Sequence, residues 1–191
     1  MNLPNKLTFT RCLLAPAFLL VMLWPFPFHH AVALLLFIAA SLTDMFDGRI
    51  ARSRGLITNL GKFLDPLADK MLTTAAFLGF MTQLGGADLC WAVMLILTRE
   101  FMVTSVRLLA AKDGVVIAAS MAGKIKTVMQ MAAIMYLLAA QQVCDLLGTT
   151  YQSLCDLLLL IGRGLIWVAV VFTVISGIQY VWGCRHYFQE K

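Results

Sequence analysis

Charge is scarce in this chain. Asp, Glu, Lys and Arg make up 13% of its 191 residues, 61% are hydrophobic, and the mean hydropathy is +0.85. A soluble domain of this length exposes too much surface to carry that composition, whereas lipid accepts apolar side chains freely. Cysteine is also sparse. The five (Cys12, Cys90, Cys144, Cys155, Cys184) are odd in number, dispersed, and form no C-x-x-C pair. That argues against a disulfide framework or a cysteine zinc site. Cys144 and Cys155 are near enough to share a loop, which by itself implies no bond. There is no long basic run, so the net charge of +5 is no nucleic-acid signature. No small-x-small cleavage site precedes a polar mature segment, so a cleaved leader is not expected. Internal repeats and low-complexity tracts are absent.

What is present is apolar sequence in pieces. A membrane-spanning helix needs about 20 mostly apolar residues, and six such pieces can be marked. They run from about Leu7 to Leu23, Ala31 to Ala51, Leu60 to Leu84, Leu89 to Ala111, Ala118 to Ala140 and Leu158 to Trp182. The breaks are Trp24 to His30, a basic turn from Arg52 to Asn59, Gly85 to Asp88, Lys112 to Gly114, and the polar stretch Gln141 to Asp156. The reading is an all-α polytopic membrane protein of about six transmembrane helices forming one domain over residues 1–191. Positive charge alternates between the breaks. Lys6 and Arg11 open the chain, Arg49, Arg52, Arg54 and Lys62 surround the second break, and Arg107, Lys112, Lys124 and Lys126 surround the fourth. Arg185 and Lys191 lie at the end, and the first, third and fifth breaks hold no Lys or Arg. The positive-inside rule then places both termini on the cytoplasmic side. Arg163 is the exception and reads as snorkelling to the outer interface. His29 and His30 read as interfacial residues rather than ligands.

One segment does not behave like membrane sequence. Asp44, Asp47, Asp65 and Asp69 lie in or near two apolar pieces, where an ionised side chain costs at least a few kcal/mol. Asp44 and Asp47 are three residues apart and Asp65 and Asp69 four apart, so each pair shares a helix face. A short turn lets the two pairs face each other across an antiparallel hairpin. Four convergent carboxylates are hard oxygen donors suited to Mg²⁺ or Mn²⁺, and two such ions would offset their repulsion while leaving room for a phosphate. Gly48 and Ala51 fall on nearly the same face as Asp44, and Gly61 lies one turn before Asp65. These small residues leave space for a substrate against the backbone. Arg52 can engage a phosphate. The bland alternative, a helix end neutralised by Arg49, Arg52 and Lys70, leaves that register of small residues unexplained.

The pattern Asp44-x-x-Asp47-Gly48-x-x-Ala51-Arg52-(eight residues)-Gly61-x-x-x-Asp65-x-x-x-Asp69 resembles the signature of the CDP-alcohol phosphotransferase family at every defined position. The resemblance implies six spans in the bacterial cell membrane, a di-metal site on the cytoplasmic side, and cleavage of a CDP-linked donor. It also implies roles. Asp44, Asp47 and Asp65 would bind metal, and Asp69 would complete the site and act as general base. Gly48, Ala51 and Arg52 would contact the CDP moiety. A homodimer is implied as well.

The signature does not choose the acceptor alcohol. Three further segments resemble the branch of the family that uses CDP-diacylglycerol with glycerol 3-phosphate. They are Asn2 to Arg11, Thr98-Arg99-Glu100-Phe101 with Arg107 beyond, and Gly123-Lys124-Ile125-Lys126-Thr127. The residue chemistry agrees. Arg99 and Arg107 are two turns apart on one side of a helix, with Lys124 and Lys126 on the next. Such a cluster suits the phosphate of a dianionic acceptor, although lysines at a membrane surface also serve as topology determinants. Glu100 can pair with Arg99. Within the family the alternatives are acceptors of the cardiolipin, phosphatidylserine and inositol-phosphate type. Outside it stands a divalent cation transporter, which leaves Gly48, Ala51 and Arg52 without a purpose. A membrane prenyltransferase would keep its two aspartate motifs on distant helices.

Overall fold

The computed structural model describes the backbone of residues 3–54, 59–112 and 121–189, and the side chains of residues 9–43, 68, 70–110 and 121–183. Among the described residues the chain is helical throughout, without strands. The elements are α1 (Leu3–Leu23), α2 (His29–Arg54), α3 (Asn59–Leu84), α4 (Ala87–Lys112), α5 (Met121–Leu147), a 3-10 turn (Gly148–Tyr151) and α6 (Gln152–Gln189). Ala87–Ala110 and Met121–Gly183 are long and apolar enough to cross a membrane, and Phe9–Leu23 and His29–Thr43 are shorter apolar stretches. The second half of α2 and the first half of α3 carry the aspartates and basic residues, which interrupt their apolar character.

The breaks have local causes. Pro25 and Pro27 follow α1, and proline neither donates nor tolerates helical geometry before it. Gly85 and Gly86 separate α3 from α4 with φ of +61° and +96°, a region that side chains disfavour. The connection between α5 and α6 differs from the sequence expectation. Helix α5 continues to Leu147 and α6 begins at Gln152, so most of the polar stretch from Gln141 to Asp156 is helical. Polarity marked a break in the sequence, but here it serves contacts between helices. The Gln142 side-chain oxygen accepts from the Ala31 amide at 2.8 Å, and Gln141 donates to Gln83 at 2.8 Å.

The chain groups into two compact units. The first holds residues 1–85 and 134–159, and the second residues 86–133 and 160–191. In the first, α1 packs against α2 and α3. Phe18, Met22, Phe37, Phe77 and Phe80 are fully or almost fully buried, and the Phe18 and Phe37 rings meet at 6.0 Å. Gly79 permits the close approach of α3 to α1, since a Cβ there would run into Sδ of Met22. Cys144 and Cys155 of this unit are free thiols in hydrogen-bond contact.

The second unit packs α4, the first half of α5 and most of α6. Leu89, Ile96 and Ile166 are fully buried, and Val103 and Tyr180 form a cluster joined by Val106. Among the described residues, two ion pairs cross between these helices. Glu100 on α4 pairs with Lys126 on α5, their side chains 9% and 3% exposed. Arg163 reaches Asp88 at 3.6 Å, which ties the one exceptional arginine to the polar start of α4. Apolar residues also face outward: Leu35 and Trp91 are each 66% exposed. Helices apolar inside and out are those of a protein whose solvent is lipid, and this is a membrane protein.

Two outcomes are expected. Gly79→Val overpacks the contact of α1 with α3 and should cost about 1–3 kcal/mol, read as a lowered Tm in detergent. Glu100→Ala removes the close partner of the buried Lys126 charge and should cost about 3–5 kcal/mol. Glu100→Leu combined with Lys126→Met should cost clearly less, a comparison that a double-mutant cycle makes directly.

Candidate functional site

The aspartate signature lies on two helices. Asp44, Asp47, Gly48, Ala51 and Arg52 fall in the second half of α2, and Gly61, Asp65 and Asp69 in the first half of α3. The helical backbone runs unbroken through each set, so the three- and four-residue spacings are helical spacings. The side chains of these eight residues lie outside the described residues. Two described neighbours frame them. Ala68, between Asp65 and Asp69, is 1% exposed. One turn before Asp44, the Ser41 hydroxyl is buried with no hydrogen-bond partner among the described residues. Buried hydroxyls are ordinarily satisfied, so Ser41 adds a group that the sequence reading did not assign. Its only sequence signal is its place in the register of Asp44.

The basic residues lie in the second unit. Arg99 and Arg107 are on α4 and Lys124 and Lys126 on α5. Lys126 is buried against Glu100, while Arg99 lies at 3.8 Å from the same carboxylate. Glu100 thus has Lys126 as its near partner and Arg99 as the more distant one. The Arg107 guanidinium sits over the Tyr180 ring, 5.6 Å from its centroid, a cation–π geometry. Arg107 and Tyr180 both lie within electrostatic reach of Arg99. The Nε atoms of Arg99 and Arg107 are buried and lack a hydrogen-bond partner among the described residues. Lys124 is exposed. Two of the four basic residues singled out by sequence, Arg99 and Lys126, therefore share one carboxylate, and a third, Arg107, lies within electrostatic reach of Arg99. Tyr180 escaped the sequence reading because a single tyrosine in an apolar helix is unremarkable until its neighbours are known.

Arg99 also borders a groove of about 720 Å³ between α4 and α6, otherwise lined by uncharged residues including Trp91, Met102, Ile178 and Trp182. Gly177 keeps that wall low, since a Cβ there would lie 3.2 Å from the Cγ of Arg99. A charged group at the edge of a long apolar groove can hold an amphiphile by its head while the groove takes its chain.

Three relatives are similar over almost the whole chain. A CDP-diacylglycerol–glycerol-3-phosphate 3-phosphatidyltransferase of Bacillus subtilis is 43% identical, covering 94% of this chain and 93% of that protein. One of the same description from Rickettsia bellii is 34% identical over 98% of this chain and 97% of its own. A probable phosphatidylglycerophosphate synthase of Mycobacterium tuberculosis is 40% identical over 94% and 80%. Residues 1–175 match, as one block running through both units, the family described as CDP-alcohol phosphatidyltransferase. With the signature carried intact on α2 and α3 and that match across the chain, the protein belongs to the CDP-alcohol phosphatidyltransferase family.

Proposed function

We propose that the chain transfers a phosphatidyl group from CDP-diacylglycerol to glycerol 3-phosphate, yielding phosphatidylglycerophosphate and CMP. The names of the relatives support the reaction. The observation that carries the acceptor is the pair of buried arginine Nε groups, on Arg99 and Arg107, that lack a hydrogen-bond partner among the described residues. A dianionic acceptor phosphate supplies the oxygens that such donors lack. Arg99 and Arg107 are the primary contacts. Lys126, held by Glu100, contributes charge and fixes the cluster, and Lys124 adds long-range attraction.

The donor end follows from the carboxylates. Asp44, Asp47, Asp65 and Asp69 form an all-oxygen donor set, which fits Mg²⁺ or Mn²⁺. Two such ions, when bound, would neutralise the pyrophosphate and the departing CMP. Gly48, Ala51 and Gly61 leave room for the cytidine diphosphate, Arg52 engages a phosphate oxygen, and the Ser41 hydroxyl is available to a ligand. The glycerol hydroxyl oxygen attacks the phosphorus that bears the diacylglycerol, the bond from that phosphorus to CMP breaks, and Asp69 takes the hydroxyl proton. Most of the rate acceleration comes from positioning and charge stabilisation.

The alternation of basic residues supports six membrane crossings in a bacterial cytoplasmic membrane, with both termini and the aspartates on the cytoplasmic side. The family resemblance supports a homodimer.

The test is CMP release by detergent-purified protein given CDP-diacylglycerol and Mg²⁺, with glycerol 3-phosphate, serine, inositol 1-phosphate and phosphatidylglycerol offered separately. Release with glycerol 3-phosphate alone is expected, and release only with another acceptor would overturn the acceptor assignment. Asp44→Asn and Asp69→Asn should each lower turnover by about a thousandfold or more, as expected where charge stabilisation dominates, in protein that still inserts. Arg107→Ala should raise KM for glycerol 3-phosphate by about ten- to a hundredfold, the worth of a charge-assisted hydrogen bond, with KM for the lipid donor little changed.

A further inference from the structure

A second group of metal-ligating side chains lies far from the aspartates. His29 and His30 open α2, and Asp145 lies near the end of α5. One ring nitrogen of each histidine and a carboxylate oxygen of Asp145 come within 4.8 Å of one another. Along α2, His30 and Asp44 are 14 residues apart, about 21 Å at 1.5 Å per residue. This cluster therefore plays no part in the chemistry proposed above, and the inference below does not depend on it.

The hydrogen bonds around the cluster determine which nitrogens carry protons. The Gln83 side-chain nitrogen donates to the Met22 carbonyl at 2.8 Å, so the oxygen of that amide points the other way. There it accepts from Gln141 at 2.8 Å and meets Nε2 of His30 at 3.3 Å. That oxygen, already oriented by two contacts, is an acceptor for a proton on His30 Nε2. Nδ1 then faces Asp145, at 2.7 Å from its oxygen. His29 is held in a similar way. Its Nδ1 lies 3.0 Å from the Phe26 carbonyl oxygen, which can only accept, so Nδ1 carries the proton and Nε2 keeps its lone pair. His29 thus keeps a lone pair on Nε2, whereas His30 Nδ1 shares a proton with the Asp145 carboxylate and becomes a ligand once that proton is released. Metal-binding histidines are oriented in the same manner.

Backbone geometry adds an independent sign. Phe28 has φ of +63°, a conformation rare for a bulky residue and most often retained where function requires it. It immediately precedes His29. The two histidine rings lie 3.9 Å apart between centroids. His30 is 5% exposed, while the Asp145 side chain is 43% exposed, so one side of the cluster is open to an entering ion.

We propose that His29, His30 and Asp145 form a binding site for a divalent transition ion of the zinc class. Two neutral imidazoles and one carboxylate supply nitrogen and oxygen donors with a single negative charge, a set that favours Zn²⁺ over Mg²⁺ or Ca²⁺. Tetrahedral bonds of about 2.0–2.1 Å place ligand atoms roughly 3.3 Å apart, so binding requires the His30 and Asp145 atoms to part by about half an ångström and the widest pair to close. The ion displaces the proton now shared by His30 and Asp145 and leaves a fourth position for water. It joins the start of α2 to the end of α5.

The test uses full-length protein in detergent, stripped of metal with a chelator, in an Asp44→Asn/Asp65→Asn background that removes the carboxylate site. Zn²⁺ is added, and bound zinc is counted by mass spectrometry while Tm is followed. Co²⁺ serves as a spectroscopic probe, since a low-coordinate nitrogen-containing site absorbs far more strongly in the visible than a hydrated ion. The expected result is one ion per chain, a Tm rise of about 5 °C at a hundredfold excess over Kd, and the Co²⁺ band. All three should vanish in His29→Ala and in Asp145→Asn. His29→Ala is at a partly exposed position and should keep a metal-free Tm near that of its parent, while Asp145→Asn, which removes the partner of buried His30, is read by zinc stoichiometry and the Co²⁺ band. Absence of binding in the background protein, or binding and stabilisation unaffected by both variants, would overturn the proposal and leave His30 and Asp145 as an ion pair only.

Discussion

A charge among apolar helices has to be compensated where it sits, because neither lipid nor a packed core solvates it. The described polar groups of this protein follow from that constraint. Glu100 is matched by Lys126, Asp88 by Arg163 and Asp145 by His30, while Arg107 lies over the Tyr180 ring. Each pairing links separate helices, so compensating the charge also sets how the helices pack. Removing one partner is costlier than removing both, which is why such pairs persist even where their net stabilisation is small.

Charges also gather where chemistry can use them. Four carboxylates lie on the second half of α2 and the first half of α3, and Arg99 and Lys126 flank Glu100, with Arg107 within electrostatic reach of Arg99. The first suits cations that carry a pyrophosphate, and the second suits an acceptor that carries its own phosphate. A reaction joining a nucleotide-linked lipid to a phosphorylated alcohol needs both. The apolar groove bordered by Arg99 adds the third element such a reaction needs, a place for hydrocarbon beside a charge.

The neutral polar residues serve a structural end of the same kind. Gln83 links α3 to the last turn of α1 through the Met22 carbonyl and to α5 through Gln141. Gln142 meets the backbone at the start of α2, satisfying an amide that the first turn of a helix leaves without an intrahelical partner. This network continues into His30 and Asp145. Polar side chains thus hold together helix ends that apolar packing alone would leave loosely specified.

Much was legible in the sequence. Length and hydropathy dictated an all-helical membrane protein, because the backbone in lipid must satisfy its own hydrogen bonds. Proline and glycine marked the ends of α1 and α3 through local geometry that needs no tertiary contact. The eight signature residues identified the family because their spacing is a helical period, which the chain carries in one dimension. Other features lay beyond the sequence. Gln141 and Gln142 read as a break because hydropathy registers polarity and not whether a partner waits on the next helix. Glu100 read as a neighbour of Arg99, yet its close partner is Lys126, 26 residues away on another helix. Tyr180 beneath Arg107 and Asp145 beside His30 are long-range pairings of the same sort. Sequence by itself determined the helices and the chemistry each one carries, since both depend on near neighbours. Only the tertiary structure decided which charges meet, because compensation of charge acts through space between residues that the chain keeps far apart.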